Sequence, residues 1–177
     1  DRVVAISEYA GQPEMQGGLV KTLDWRIYLG LLSETFNEDH QQDLTRHEAI
    51  EFDLTVCNFY PFEARTSQVD AGIEDGRTHI DIGGPTMIRA SAKNFLRVAT
   101  LCNPEEYGRF LSHVAEHDGS TRLSYRFQLM KAAFQYTAAY DKTIADYFRR
   151  RAETDLDRYD LDVPGKTPPH HNGPNGR

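Results

Sequence analysis

Basic charge, cysteine and long apolar runs are all scarce in this chain, and each scarcity removes a class of function. Twenty Lys and Arg face 27 Asp and Glu, leaving a net charge of −7 over 177 residues. Sequence-independent nucleic-acid binding needs the opposite balance, because it works by displacing counterions from phosphates. Cysteine occurs only at Cys57 and Cys102, too few for a disulfide framework, and neither sits in a CxxC or Cys/His metal spacing. No apolar run approaches the ~20 residues that span a bilayer. The N-terminus lacks the basic-then-apolar order of a signal peptide. These absences predict a cytoplasmic protein with neither nucleic acid nor membrane among its partners. The chain opens on Asp1 directly before the β-branched Val3-Val4-Ala5-Ile6, which reads as a cut edge.

What is present supports a folded domain. Hydrophobic residues make up 39%, with nine Phe and nine Tyr, enough for a core and against global disorder. The length suits one domain. Val3-Val4-Ala5-Ile6 reads as a strand running into the polar loop that ends at Gly17-Gly18. Residues 20–32 are densely apolar with a period ambiguous between helix and strand. Residues 38–46 are highly charged and read as a solvated helix. Residues 52–59 form a strand candidate stopped by Tyr60-Pro61, since proline cannot continue a central ladder. Residues 64–78 are polar and loop-like.

Pro85 after two glycines predicts a helix from 85 to about 94. Residues 98–102 read as a further strand, and Pro104 opens a helix with Glu105 and Glu106 in its first turn. Beyond Ser120, Leu123, Phe127, Met130, Phe134, Thr137, Ile144 and Phe148 recur at helical spacing, with an interruption expected near Tyr140-Asp141. The proline-rich and glycine-rich tail predicts disorder. Strands separated by helices imply an α/β fold, a mostly parallel sheet flanked by helices with a helical C-terminal extension. The expected domains are 1–118 as the α/β part, 119–155 as the helical extension and 156–177 as the tail.

Ligands of such sheets bind beyond the carboxyl ends of the strands. Lys21-Thr22, Cys57-Asn58-Phe59-Tyr60 and the run from Asp81 to Pro85 fall at such ends or in adjoining loops. Asp81-Ile82-Gly83-Gly84-Pro85-Thr86 joins a carboxylate, a flexible turn and a helix N-terminus, where exposed N–H groups hold oxyanions or carbonyl oxygens. Alone, such a run is more often an ordinary strand–turn–helix junction. Arg89 and Lys93 lie one turn apart on one helical face, a pattern that is usually a solvated stripe. Tyr60 alone reads as a core aromatic and Cys57 as a packed thiol. His113 and His117 have i,i+4 ligand spacing without an evident third ligand, so no metal is assigned.

Together these stretches resemble the IMP cyclohydrolase domain of bifunctional purine-biosynthesis enzymes, a fold of the methylglyoxal-synthase type. The resemblance rests on Ile6-Ser7-Glu8-Tyr9, Pro13-Glu14-Met15 with Val20-Lys21-Thr22-Leu23, Cys57-Asn58-Phe59-Tyr60-Pro61-Phe62, and Ile80-Asp81-Ile82-Gly83-Gly84-Pro85-Thr86-Met87-Ile88-Arg89-Ala90 with Ala92-Lys93-Asn94. Lys131-Ala132-Ala133-Phe134 with Thr137-Ala138-Ala139-Tyr140-Asp141 completes the family's order. The resemblance implies closure of the purine ring of formyl-aminoimidazole-carboxamide ribotide (formyl-AICAR) to IMP with loss of water, using no cofactor. It assigns Lys93, Asp81, Tyr60 and Lys21 to catalysis. Lys21, Thr22, Cys57, Asn58, Asp81, Ile82 and Gly83 are assigned to the nucleotide. It further implies a homodimer; a separate AICAR transformylase is a candidate partner, with that domain of the family lying beyond the matching stretches.

Departures from the family pattern support an alternative, a non-catalytic module that binds a nucleotide or another phosphorylated metabolite. Leu19 stands where the family has Arg. Leu23-Asp24-Trp25-Arg26-Ile27-Tyr28 replaces a Leu-His-Pro-x-x-His segment, removing both histidines; Arg26 is a candidate replacement cation. In the family, a phosphate-holding strand–helix unit and loop would precede Asp1.

Overall fold

A computed structural model of the chain describes residues 3–11, 21–68 and 70–159. In chain order its elements are α1 (Ile6–Ala10), α2 (Trp25–Leu32), α3 (Glu38–Arg46), β1 (Leu54–Val56), α4 (Phe62–Thr66), α5 (Ile73–Thr78), α6 (Gly83–Lys93) and β2 (Ala99–Leu101). A 3-10 turn (Pro104–Glu106), α7 (Tyr107–Glu116), the long α8 (Leu123–Arg149) and a second 3-10 helix (Glu153–Tyr159) follow. They divide into two compact units, one built from residues 1–59 and 82–138, the other from 60–81 and 139–177.

The first unit holds the sheet. β1 and β2 pair in parallel with Leu54 opposite Ala99 and Val56 opposite Leu101. The ladder continues past both ends through Ala99 N–H to Asp53 O and Cys57 N–H to Leu101 O, each 2.9 Å. β2 is buried at all three positions, as a strand covered on both faces must be. Alternation along it explains how: Ala99 and Leu101 pack with Phe110 of α7 and with Tyr125 and Leu129 of α8. Val98 packs on the opposite side with Ile27, Leu31 and Ala90 from α2 and α6. The fold is α/β, with helices on both sides of a small parallel sheet.

Polar side chains set the helix ends. Asp24 Oδ1 accepts from Arg26 N–H at 2.9 Å and starts α2, and Asn37 accepts from Asp39 and His40 N–H to start α3. The C-terminal carbonyls of α2 are taken up from a distance: Asn94 Nδ2 donates to Leu31 O and Ser33 O, both at 2.8 Å, and Arg97 to Gly30 O, Ser33 O and Phe52 O. Such capture satisfies acceptors that a helix leaves unpaired.

The second unit packs around Phe62, which is 2% exposed. The rings of Tyr140 and Tyr147 from α8 meet it edge-on at centroid distances of 6.3 and 5.5 Å. Tyr147 also donates to Gly72 O at 2.6 Å, and Arg151 to Ala71 O at 2.9 Å.

Four local expectations change. Residues 3–5 carry no ladder partner, and Ala5 O instead accepts from Tyr9 N–H to open α1, so the strand expected at 3–6 is absent. The stretch 64–78, expected as loop, carries most of α4 and all of α5, with Phe62 buried at the start of α4 and local pairs such as Arg77 with Glu74 in α5. α8 runs unbroken through Tyr140-Asp141, because Tyr and Asp there interrupt no backbone bond. Its buried stripe is Tyr125, Leu129, Ala133 and Thr137, while Leu123 and Phe127 are exposed. Of the tail expected at 156–177, residues 156–159 belong to the 3-10 helix and the rest lies outside the described residues. Gly17-Gly18 and Leu19 lie outside them too.

Candidate active site

In the second unit the chain turns from β1 into Tyr60-Pro61 and α4, and returns through α5 to Asp81. Tyr60 and Asp81, 21 residues apart, meet there: Asp81 Oδ2 accepts from Tyr60 N–H at 3.3 Å. Tyr60 is 57% exposed, which leaves its phenol on the surface rather than in the core. Asp81 is half-buried. Its own N–H donates to the hydroxyl of Tyr140 at 2.8 Å, and that hydroxyl donates to His79 O at 3.4 Å. The carboxylate of Asp81 thus meets the main chain of Tyr60, and a carboxylate so placed can take up or give a proton.

In the first unit, Cys57 and Asn58 lie just past the carboxyl end of β1. Asn58 is exposed and pairs reciprocally with Tyr107 at the start of α7, amide and hydroxyl meeting at 2.9 and 3.1 Å. Cys57 is half-buried. Burial pushes the Tyr28 phenol up, and the nearby Cys57 adds to it; its hydroxyl is buried without a hydrogen-bond partner among the described residues. Burial likewise raises the Tyr136 phenol, beside Phe59, and the Cys102 thiol. Raised values keep these groups neutral.

Thr22 is brought to Gly83. A Cβ placed on Gly83 would stand 2.5 Å from Thr22 Oγ1, so only glycine lets the loop carrying Lys21 and Thr22 close on the start of α6. Ile82, 59% exposed, is the N-cap and contributes no side-chain acceptor there. A helix start of this kind favours a carbonyl oxygen or anion. Lys93 closes the same helix, with an exposed side chain. Its Cα stands about 15 Å along the axis from Gly83 at 1.5 Å per residue. Arg89, one turn earlier, lies over the Phe134 ring at 5.4 Å. Lys21 is exposed.

Arg26 is not a replacement cation for a ligand. Its guanidinium donates to Tyr9 O at 3.3 Å and Ala10 O at 3.1 Å, closing α1, while Asp24 caps α2 and Trp25 packs edge-on against His47. The His113 and His117 rings stack at 4.1 Å. Among the described residues no group of three or more His, Cys, Asp or Glu gathers as a metal site.

Sequence spacing alone missed Tyr28, Tyr107 and Tyr140. Tyr107 is 49 residues from Asn58 and Tyr140 is 59 from Asp81, separations at which no periodicity reports contact. Tyr140 does stand inside the Thr137-Ala138-Ala139-Tyr140-Asp141 stretch that carries the family resemblance.

The fold is α/β, and in its first unit Cys57 and Asn58 lie just past the carboxyl end of β1. The sequence profile of the AICARFT/IMPCHase bienzyme family matches residues 91–168. The bifunctional purine biosynthesis protein PurH of Synechococcus elongatus is 43% identical over 159 residues, covering 90% of this chain and 31% of that protein. PurH of Bradyrhizobium diazoefficiens is 44% identical over 154 residues, covering 87% and 29%. The crystal structure of ForH superposes with a TM-score of 0.68 at 32% identity, covering 81% of this chain and 74% of that one. The chain belongs to the AICARFT/IMPCHase bienzyme family. It spans about 30% of the length of the curated relatives it matches, whose named role is in purine biosynthesis. No described helix is long and apolar enough to cross a membrane.

Proposed function

We propose that the protein is an IMP cyclohydrolase, closing the purine ring of formyl-AICAR to IMP. The carboxamide nitrogen attacks the formyl carbon and loses one proton, the formamide nitrogen loses the other, the former carbonyl oxygen gains both, and its C–O bond breaks to release water as a C=N bond forms to the formamide nitrogen. Nothing is oxidised or reduced. The step therefore needs a base, an acid and a donor to the carbonyl oxygen.

In this reading Asp81, Tyr60 and Lys93 exchange the protons, with Lys93 as donor and acceptor, and Lys21 adds a cation for the anionic nucleotide. Thr22, Cys57, Asn58, Ile82 and Gly83 hold the substrate, Ile82 and Gly83 through backbone N–H groups at the start of α6. The observation that carries it is the hydrogen bond from Tyr60 N–H to Asp81, which joins two residues that the family resemblance assigns to one relay. The test is turnover of formyl-AICAR by the purified protein, read by absorbance on ring closure. IMP formation abolished in Lys93→Ala with the fold intact supports the reading; no IMP from the wild-type protein refutes it.

The same reading takes the protein to be a cytoplasmic homodimer, working beside a separate AICAR transformylase. A monomer mass by light scattering at micromolar concentration contradicts the dimer. A second reading, a module that binds nucleotide without chemistry, draws on the 23–28 segment: Asp24, Trp25 and Arg26 all serve the fold. Binding of IMP without turnover supports it.

A further inference from the structure

Tyr140 gives Asp81 its position. It lies in α8, 59 residues beyond Asp81, and its hydroxyl sits between two backbone groups of the segment that carries the carboxylate. It accepts from Asp81 N–H at 2.8 Å and donates to His79 O at 3.4 Å. Residues 79–81 lie between α5 and α6 and form no helix or strand; the His79 N–H donates to Gly76 O at 3.3 Å. A tyrosine hydroxyl, which donates once and accepts, suits both groups at once.

The ring is held in turn. It meets the buried Phe62 edge-on at 6.3 Å, and Phe62 follows Tyr60-Pro61 directly. The hydrogen bonds therefore form a series: the Tyr140 hydroxyl fixes the Asp81 backbone, and the Asp81 carboxylate fixes the Tyr60 N–H at 3.3 Å.

We infer that Tyr140 is a positioning residue for ring closure: its hydroxyl aims the Asp81 carboxylate, and through it the Tyr60 backbone, without touching substrate. This rests on the cyclohydrolase reading, and the test separates the two. Tyr147 is the internal control. Its ring packs on the same Phe62 at 5.5 Å, but its hydroxyl serves Gly72 O and Ala71 O instead.

The experiment compares wild type, Tyr140→Phe and Tyr147→Phe by amide hydrogen exchange and by steady-state formyl-AICAR turnover. Tyr140→Phe keeps the ring and loses the hydroxyl. The expected result is Asp81 amide exchange faster by about tenfold or more, and a kcat lower by about tenfold with KM changed less than about threefold, since misplacement of a reacting group costs rate. Tyr147→Phe is expected to leave the Asp81 amide and kcat unchanged. Unaltered Asp81 exchange in Tyr140→Phe overturns the inference, as does an equal loss of kcat in both variants. If Tyr140→Phe does not fold, a wild-type Asp81 amide exchanging at its free-peptide rate overturns it, and a protected one sustains it. A wild-type protein that makes no IMP refutes the cyclohydrolase reading, and with it the catalytic purpose of Tyr140, while the exchange comparison still decides whether the hydroxyl holds Asp81.

Discussion

The backbone N–H of Tyr60 donates to Oδ2 of Asp81 at 3.3 Å across a separation of 21 residues. The bond uses the main chain of Tyr60, a residue 57% exposed. Phenol and backbone are therefore separable by mutation. Tyr60→Phe is expected to keep the fold and lower kcat for ring closure by about 100- to 10,000-fold, the range for loss of one acid–base group. Circular dichroism and steady-state kinetics check the two halves.

Gly83 makes a similar separation at the start of α6. An alanine Cβ there stands 2.5 Å from Thr22 Oγ1, so Thr22 must move. Gly83→Ala is expected to weaken IMP binding by about tenfold, roughly 1.4 kcal/mol, measured by calorimetry, with a smaller effect on kcat.

Two further glycines predict opposite effects on stability. A Cβ on Gly30 would stand 2.1 Å from Ile50 O and 2.8 Å from the Phe52 ring, and backbone cannot step aside as a side chain can. Gly30→Ala is expected to destabilise by about 1–3 kcal/mol through overpacking. Gly108 in α7 has nothing within 4 Å of that position, so Gly108→Ala is expected to stabilise by about 0.5–1 kcal/mol through helix propensity. Urea unfolding of both variants tests the pair.

Acid should loosen the junction of α7 and α8. His113 Nε2 accepts from Arg122 N–H at 3.2 Å while its ring stacks on His117 at 4.1 Å and tilts against Tyr125 at 4.1 Å. Burial first, then His117, with Arg122 and Arg109 adding to it and Glu116 opposing, hold the imidazole below its ordinary 6.5. A lowered value means the folded protein favours the neutral ring and the unfolded chain binds the proton more readily. This contribution is full above 6.5 and is lost as pH falls below it. Stability should thus fall with pH in that window, and more gently in His113→Gln, whose amide oxygen can accept but does not titrate. Equal slopes in the two proteins contradict the assignment.

Much of the fold was legible because its signals are local. The charged run that becomes α3, Pro104 opening a turn, and the strand centres at 54–56 and 99–101 all follow from side-chain type and short-range order. The strand expected at 3–6 failed because β-branched residues need a ladder partner as well as propensity. α4 and α5 were missed because no apolar period marks them; Phe62 is buried at the start of α4. For the site, the motif resemblance singles out Tyr60 and Asp81, and the structure brings the Tyr60 N–H to Asp81 Oδ2. Tyr107 and Tyr140 stayed hidden because hydrogen bonds between residues 49 and 59 apart are products of folding. Arg26, a candidate replacement cation by its place in the 23–28 segment, donates instead to carbonyls of α1.

The central claim is that Asp81 serves the chemistry of ring closure. Single-turnover formation of IMP from formyl-AICAR, followed in wild type and Asp81→Asn side by side, tests it most directly. The asparagine keeps an oxygen acceptor for the Tyr60 N–H but cannot take a proton. The predicted result is IMP formation by wild type and a rate at least about 100-fold lower in the variant, the scale of a lost general base, with IMP binding retained. No product from wild type, or equal rates in the two proteins, contradicts it.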